Sequence, residues 1–215
     1  MGPRGAPYDV TYYFYDALRR VVGVIGPDPD GPGPLPRPAT ATTYNADGQV
    51  SSVATGIATG TTLAALNAMT VLEQKTTTYS TSIGLPILES VYSGGVLQQV
   101  TRKSYDSLLR RQCVAERLNP ATFASLPSSA CSLGTAGPQG NDRTTYTTYD
   151  ATNAVLATTS AYGTPRQRND RVYTYDPTNG LLTTEADGCG CRGGSPCRGR
   201  CCNCGGWCIS YRRYN

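Results

Sequence analysis

A short pattern that begins with tyrosine and continues with aspartate or asparagine recurs along the chain, each time between two runs of β-forming residues. The polar side chain after the tyrosine can accept hydrogen bonds from backbone N–H groups two residues further on, and so caps a turn. We therefore expect each copy to be a hairpin turn in which the tyrosine closes the incoming strand and buries its ring. The five copies contain Tyr15 and Asp16, Tyr44 and Asn45, Tyr105 and Asp106, Tyr149 and Asp150, and Tyr175 and Asp176.

The fourth residue after each tyrosine should adopt a left-handed conformation, which suits glycine or asparagine. Gly48, preceded by aspartate, is the clearest signal, and Asn153 and Asn179 hold the same position in two other copies. Arg19 and Leu109 stand there in the remaining two, where their side chains disfavour this conformation. We expect those two turns to be looser or of another type.

Strand-forming residues surround the turns, since threonine, tyrosine and valine pack well on a pleated surface. Segments 10–15, 21–25, 49–53, 96–101, 144–149 and 172–175 are predicted strands, whereas the leucine spacing in 62–74 and 108–118 also permits helix. Segments 26–38 and 119–141 are rich in proline, glycine or serine and are predicted loops. The interval of 61 residues between the second and third tyrosines predicts a worn copy near Tyr79.

In these repeats the sequence resembles the RHS/YD-repeat family, whose repeat is roughly Tyr-Asp-x-x-Gly-Arg-Leu. The resemblance covers most of residues 8–187, although only the copy at Tyr44 keeps glycine at the fourth position. It implies an all-β fold of antiparallel hairpin repeats over residues 1–187, forming part of a β-shell. It also implies a non-enzymatic structural segment of a secreted or cell-surface bacterial protein, with neighbouring repeats of a longer chain or of another protein as partners.

The composition changes abruptly near residue 187. The whole chain has 215 residues, 19 Lys+Arg, 15 Asp+Glu and no histidine. All the acidic residues lie at or before Asp187, whereas the last 28 residues contain five arginines and no acid. We therefore treat residues 188–215 as a separate tail, predicted to be disordered or non-native.

Several interpretations of this tail remain open. Its thiolates could bind a soft metal, although structural zinc sites favour Cys-x2-Cys pairs that are absent here. A disulfide knot, a basic arm for phosphates, and a reading of the coding sequence out of frame are the other interpretations. The cysteines concerned are Cys189, Cys191, Cys197, Cys201, Cys202, Cys204 and Cys208.

The sequence offers little that could form an active site. Without histidine, neither Ser-His-Asp nor Cys-His catalysis can be built from this chain. Asp28 and Asp30 share a proline-rich loop with no third group nearby. Cys113 and Cys131 are eighteen residues apart and form either a disulfide or two buried thiols. We expect no catalytic residue, no cofactor and no metal ligand in the body of the chain.

The composition also bears on binding partners of other classes. A Tyr/Thr-rich β surface could bind carbohydrate or protein, and this is the alternative to the scaffold interpretation. Neither nucleic acid nor a membrane span is predicted, because the body is nearly neutral and no apolar run approaches 18 residues. No signal peptide is visible at the N-terminus, so the secreted or cell-surface location rests on the resemblance alone.

Overall fold

The computed structural model describes residues 10–31 and 33–187, and this part of the chain is almost entirely β-structure. Twelve strands pair antiparallel with their neighbours in chain order, together with one short α-helix and one turn of 3-10 helix. The all-β antiparallel prediction is therefore confirmed. The residues group into two compact units that meet between Val100 and Thr101, within one strand.

The first unit is a run of strands with a helix between the fourth and fifth. Consecutive strands from β1 to β6 pair with each other, as expected for sequential hairpins. Two of the connections are longer, the proline-rich one between β2 and β3 and the one between β4 and β5 that contains the helix. Its elements are β1 (Tyr12–Tyr15), β2 (Val21–Ile25), β3 (Arg37–Tyr44), β4 (Val50–Ala58), α1 (Leu63–Asn67), β5 (Thr70–Tyr79), β6 (Pro86–Ser93) and the first half of β7 (Val96–Tyr105).

The core of the first unit lies where α1 covers β2 and β3. Thr62 caps this helix by accepting a hydrogen bond from the Ala65 N–H at 3.2 Å. Leu66 then packs among buried apolar residues of the neighbouring strands, among them Ile25 and Ala39. Gly23 lies directly beneath it, and a Cβ there would collide with the Leu66 side chain.

The second unit continues the hairpin pattern. Its elements are the second half of β7, β8 (Arg111–Arg117), a 3-10 turn (Pro120–Thr122), β9 (Arg143–Tyr149), β10 (Val155–Ser160), β11 (Arg168–Tyr175) and β12 (Leu182–Asp187). Cys113, Ala115 and Ala130 form its small buried core, against which Tyr146 packs. Tyr146 also stacks on Tyr162, with ring centroids 4.4 Å apart.

The two segments with helix-compatible spacing differ from expectation. Within 62–74 only Leu63–Asn67 is helical, and the chain returns to strand at Thr70. The helix considered for 108–118 is wrong, because this segment forms a turn followed by β8. Burial alternates along β8, with Cys113, Ala115 and Arg117 facing inward, which is the two-residue period of a strand.

The proline-rich segment 26–38 runs from the end of β2 into the start of β3, and 119–141 connects β8 to β9. Among the described residues no helix is long and apolar enough to cross a membrane. The predictions for the tail, 188–215, fall outside the described residues.

Candidate functional site

Four of the turn tyrosines reach back to the turn before their own. In each case the phenolic hydroxyl donates to the backbone carbonyl of the first residue after the preceding turn, at 2.9–3.0 Å. The pairs are Tyr44 with Val21, Tyr79 with Val50, Tyr149 with Arg111, and Tyr175 with Val155. We call these four contacts the tyrosine ladder.

An irregularity in strand register accompanies these tyrosines. The pairing shifts by one residue between Thr43 and Tyr44, between Thr78 and Tyr79, and between Thr174 and Tyr175. A β-bulge of this kind re-aims a side chain and increases the local twist. The bulges thus coincide with the rings that reach sideways to the neighbouring hairpin.

The aspartate after the tyrosine caps its turn in the predicted way. One carboxylate oxygen of Asp16 accepts from the N–H groups of Leu18 and Arg20, both at 2.9 Å. The other oxygen accepts from the Arg20 guanidinium at 2.7 Å. Asp106 repeats this arrangement with Leu108 and Arg110, at 2.9–3.0 Å for the backbone and 2.7 Å for the guanidinium.

The same two arginines bind the next hairpin. The guanidinium of Arg20 lies over the Tyr44 ring, 4.3 Å from its centroid, and that of Arg110 lies over the Tyr149 ring at 4.7 Å. Arg110 also donates to the Asp150 carbonyl at 2.7 Å. Each arginine therefore joins its own aspartate to the following ladder tyrosine through a cation–π contact.

Two other turns have the cap without the aspartate–arginine bond. The Asn45 side chain accepts from the Gln49 N–H and donates to the Gln49 side chain, both at 2.9 Å. The Asp150 carboxylate accepts from the backbone N–H groups of Thr152 and Ala154 at 2.8 Å, and it forms no ion pair with an arginine of its own turn. The turn cap is common to these copies. The arginine that joins the capping aspartate to the following ladder tyrosine is present in two of them, as Arg20 and Arg110.

The prediction of looser turns at Arg19 and Leu109 is wrong. Both adopt the left-handed conformation, with φ of 60° and 61°, as Gly48 and Asn153 do. The closing backbone bond is also equivalent, since the N–H groups of Arg19, Gly48 and Leu109 each donate at 3.0 Å to the residue after the tyrosine. The backbone cap and the aspartate–arginine bond of each turn hold Arg19 and Leu109 in a conformation that their side chains disfavour.

Two turns are longer by one residue. After Tyr175 the left-handed residue is Gly180, with φ of 72°, and not the expected Asn179. The Asp176 N–H bonds to the Leu181 carbonyl at 2.8 Å. The copy predicted near Tyr79 is confirmed and has the same length, with Gly84 at φ 67° and a Ser80-to-Leu85 bond at 2.9 Å.

The caps stabilise the charged form of the turn carboxyls. At Asp16 the bond from the Arg20 N–H is the largest cause that lowers the pKa below its ordinary 3.8. At Asp106 partial burial acts in the opposite direction, and bonds from the Arg110 backbone and guanidinium outweigh it, so this pKa is lowered too. The affected residues are Asp16, Asp106, Asp150 and Asp176.

A second polar arrangement holds the 119–141 connection against β8. Arg117 and Asp142 form an ion pair at 2.6 Å, and their side chains are only 1% and 3% exposed. Arg117 also donates to the carbonyls of Ser132 and Ser129 at 2.9 Å. Burial raises the pKa of Asp142, but the bonds it accepts, chiefly from Arg117, outweigh burial and lower it.

A disulfide between Cys113 and Cys131 closes the same connection, with the Cα atoms 5.3 Å apart. The sequence permitted either a disulfide or two buried thiols, and the structure contains the disulfide. Cys113 is fully buried, so the bond lies within the core of the second unit. The connection is thus fixed covalently near its middle and by the buried ion pair near its end.

Sequence reasoning missed the arginines that now stand out. Arg20 and Arg110 follow their tyrosines by five residues, the arginine position of the repeat Tyr-Asp-x-x-Gly-Arg-Leu, yet no role was predicted for them from the sequence. Arg117 and Asp142 are 25 residues apart, and nothing local in the sequence connects them. Within the described ranges no group of three or more acidic or cysteine side chains could hold a metal ion.

The strands, the bulged tyrosines and the capped turns define an antiparallel β-hairpin repeat protein.

No protein-family model matches the chain, and no curated protein matches it either. Among solved structures, it is similar to the crystal structure of TcdB2-TccC3-Cdc42, with 11% identity and a TM-score of 0.43 over 82% of this chain. It is also similar to that of TcdB2-TccC3-TEV, with 12% identity, a TM-score of 0.32 and 82% coverage. The matched region spans 9% and 10% of those chains.

Proposed function

We propose that the chain is a non-enzymatic structural segment of an RHS/YD-repeat protein and serves as shell or surface scaffold. The observation that carries this proposal is the tyrosine ladder, in which the same contact, made four times, binds a hairpin to the turn of an earlier one within its unit. Repeat proteins owe their stability to such contacts between neighbouring units. The ladder also gives the turn tyrosines a structural task.

The proposed location is secreted or cell-surface. The Cys113–Cys131 disulfide supports it, because disulfides persist mainly in oxidising compartments. The proposed partners are neighbouring repeats, of a longer chain or of another protein. A further hairpin could use the same turn carbonyls and backbone groups that the described hairpins use among themselves.

Native-state hydrogen exchange on Tyr44→Phe tests whether stability is organised by neighbouring hairpins. This substitution removes only the hydroxyl that binds Val21. We expect faster exchange in β1–β4 and unchanged protection in β5 and β6. Tyr13→Phe is the matched control, since Tyr13 is 57% exposed and stands outside the ladder.

An equal loss of protection across β1–β6 would show a single cooperative domain and would contradict the repeat proposal. Unchanged exchange throughout would also contradict it, because the ladder would then contribute nothing to the cohesion of adjacent hairpins. A faster exchange in Tyr13→Phe matching that of Tyr44→Phe would assign the effect to lost tyrosine hydroxyls in general.

A further inference from the structure

A cleft in the second unit lies apart from the tyrosine ladder. It is bounded by residues 139–145, which end the long connection and begin β9, and by the β10–β11 connection, 160–168. Its volume is about 740 Å³. Ligand sites for small molecules usually have about 300–1,000 Å³, so the cleft has room for more than a single inorganic ion.

The charged side chains that line this cleft are predominantly arginines. Arg143 and Arg168 each pair with an acid at 3.2 Å, yet their side chains remain 73% and 70% exposed. Arg166 forms no ion pair with any described residue. The acid in the wall, Asp142, is already bound by Arg117 and by two backbone N–H groups. The cleft therefore presents positive hydrogen-bond donors.

A buried hydroxyl in the same wall has no partner. Thr144 is 1% exposed, and its Oγ1 forms no hydrogen bond with any described residue. A buried polar atom that forms no hydrogen bond destabilises the folded protein unless a ligand or water supplies a partner. The Thr144 carbonyl, in contrast, accepts from the Tyr162 N–H at 3.0 Å, which ties the β10–β11 connection to β9.

From these observations we infer that the cleft binds a carboxylated oligosaccharide. Guanidinium groups recognise carboxylates with two parallel hydrogen bonds, and Arg166 is the arginine of the wall that forms no ion pair with a described residue. Sugar hydroxyls need neutral donors and acceptors, which the wall supplies through the side-chain amides of Gln139 and Asn141. The hydroxyls of Ser160 and Thr164 are already bonded to Asp170 and to the Ala161 carbonyl. This site is independent of the scaffold proposal, because it uses no residue of the ladder or of the turn caps.

Titration calorimetry of the full chain with trigalacturonate, and with its fully methyl-esterified form, tests the inference. The two probes share their shape and hydroxyls and differ in their charge. We expect the acid to bind at least tenfold more tightly than the ester, and its affinity to fall as salt screens the arginines. Equal affinities, or binding of sodium sulfate as tight as that of the acid, would overturn the inference.

Variants then locate the site. Arg166→Gln should weaken trigalacturonate binding at least fivefold, whereas Arg111→Gln, an exposed arginine of β8 outside the cleft, should leave it unchanged. Thr144→Val keeps the side-chain shape and should weaken binding without lowering the unfolding midpoint. Undiminished binding in Arg166→Gln, or an equal loss in Arg111→Gln, would show that trigalacturonate binds elsewhere and contradict the assignment.

Discussion

At the scale of single residues, Arg110 makes contacts in three directions. It binds the Asp106 carboxylate of its own turn, the Asp150 carbonyl of the next turn, and the face of the Tyr149 ring. Planar geometry allows the guanidinium to stack on an aromatic ring while its edge donates hydrogen bonds, which a lysine ammonium cannot reproduce.

Arg110→Lys should therefore destabilise the protein although the charge is retained. We expect the free energy of unfolding to fall by about 1–2 kcal/mol, because one stacked contact and at least one charge-assisted bond are lost. Urea unfolding measures the change. Arg111→Lys alters an exposed arginine of the following strand and should stay within about 0.5 kcal/mol of the parent. Equal effects of both variants would contradict the role assigned to Arg110.

Asp16 predicts a dependence of stability on pH. Its pKa is lowered in the folded protein by the bonds from Arg20 and Leu18. Its contribution to stability is therefore present above the ordinary pKa of 3.8 that applies in the unfolded state, and is lost as the pH falls through the lower folded-state pKa. Asp16→Asn should reduce the loss of unfolding free energy between about pH 5 and pH 2.

Asp47→Asn is the matched control, because it removes an exposed carboxylate from the neighbouring turn. Its stability curve should follow that of the parent protein. Chemical denaturation at a series of pH values provides the comparison. A curve for Asp16→Asn that stays parallel to the parent down to pH 2 would show that the Asp16 cap does not couple protonation to folding.

At the scale of elements, the turns at Arg19 and Leu109 tolerate a left-handed residue with a side chain. Such a conformation costs roughly 1–2 kcal/mol in residues other than glycine. Replacing such a residue by glycine relieves this strain, but glycine loses more conformational entropy on folding, so the net increase in stability is smaller. Leu109→Gly should raise the free energy of unfolding by about 0.5–1 kcal/mol.

The adjacent Leu108→Gly is the control for the flexibility that glycine adds. Leu108 does not have a positive φ, so glycine there brings only the entropic penalty and should lower stability. Thermal unfolding of both variants distinguishes the two effects. A loss of stability in Leu109→Gly equal to that in Leu108→Gly would show that the left-handed turn carries no strain.

The contact of α1 with β2 depends on the absence of a side chain at Gly23. Gly23→Ala places a methyl group against Leu66 and should destabilise the first unit by about 1–3 kcal/mol. Leu66→Ala leaves a cavity and should cost about 2–5 kcal/mol. The double variant should cost less than the two losses combined, since the smaller residue makes room for the methyl group. Additive losses in urea unfolding would contradict this packing.

Much of the element structure could be predicted because it depends on neighbours in sequence. A turn cap such as Asp16 acts on residues two and four positions away, and a strand such as β2 is visible in its own composition. Helix was a wrong prediction for 108–118 because leucines that lie in a turn have the same spacing as leucines on one face of a helix. The Arg117–Asp142 pair could not be predicted, since strand pairing alone brings these residues together.

At the scale of the whole molecule, the disulfide and the buried ion pair fix the long connection of the second unit. The bridge closes 18 residues, which the chain-entropy model values at about 3 kcal/mol. The double variant Cys113→Ala with Cys131→Ala should lower the stability of the second unit by about that amount. Denaturant unfolding of the parent with a reducing agent should give the same shift.

The double variant itself should not respond to the reducing agent, and this control separates the bridge from the other cysteines of the chain. A parent protein that keeps its stability under reduction would contradict the prediction. An equal response of parent and double variant would assign the effect to the cysteines of the tail.

The direction of the tyrosine ladder has a consequence for biosynthesis. Every ladder hydroxyl belongs to a later hairpin and every acceptor carbonyl to an earlier one. A hairpin that leaves the ribosome therefore finds its docking point already made, and no contact of the ladder has to wait for a segment still untranslated. Growth from the N-terminus toward the C-terminus can proceed one hairpin at a time, at the pace of translation itself.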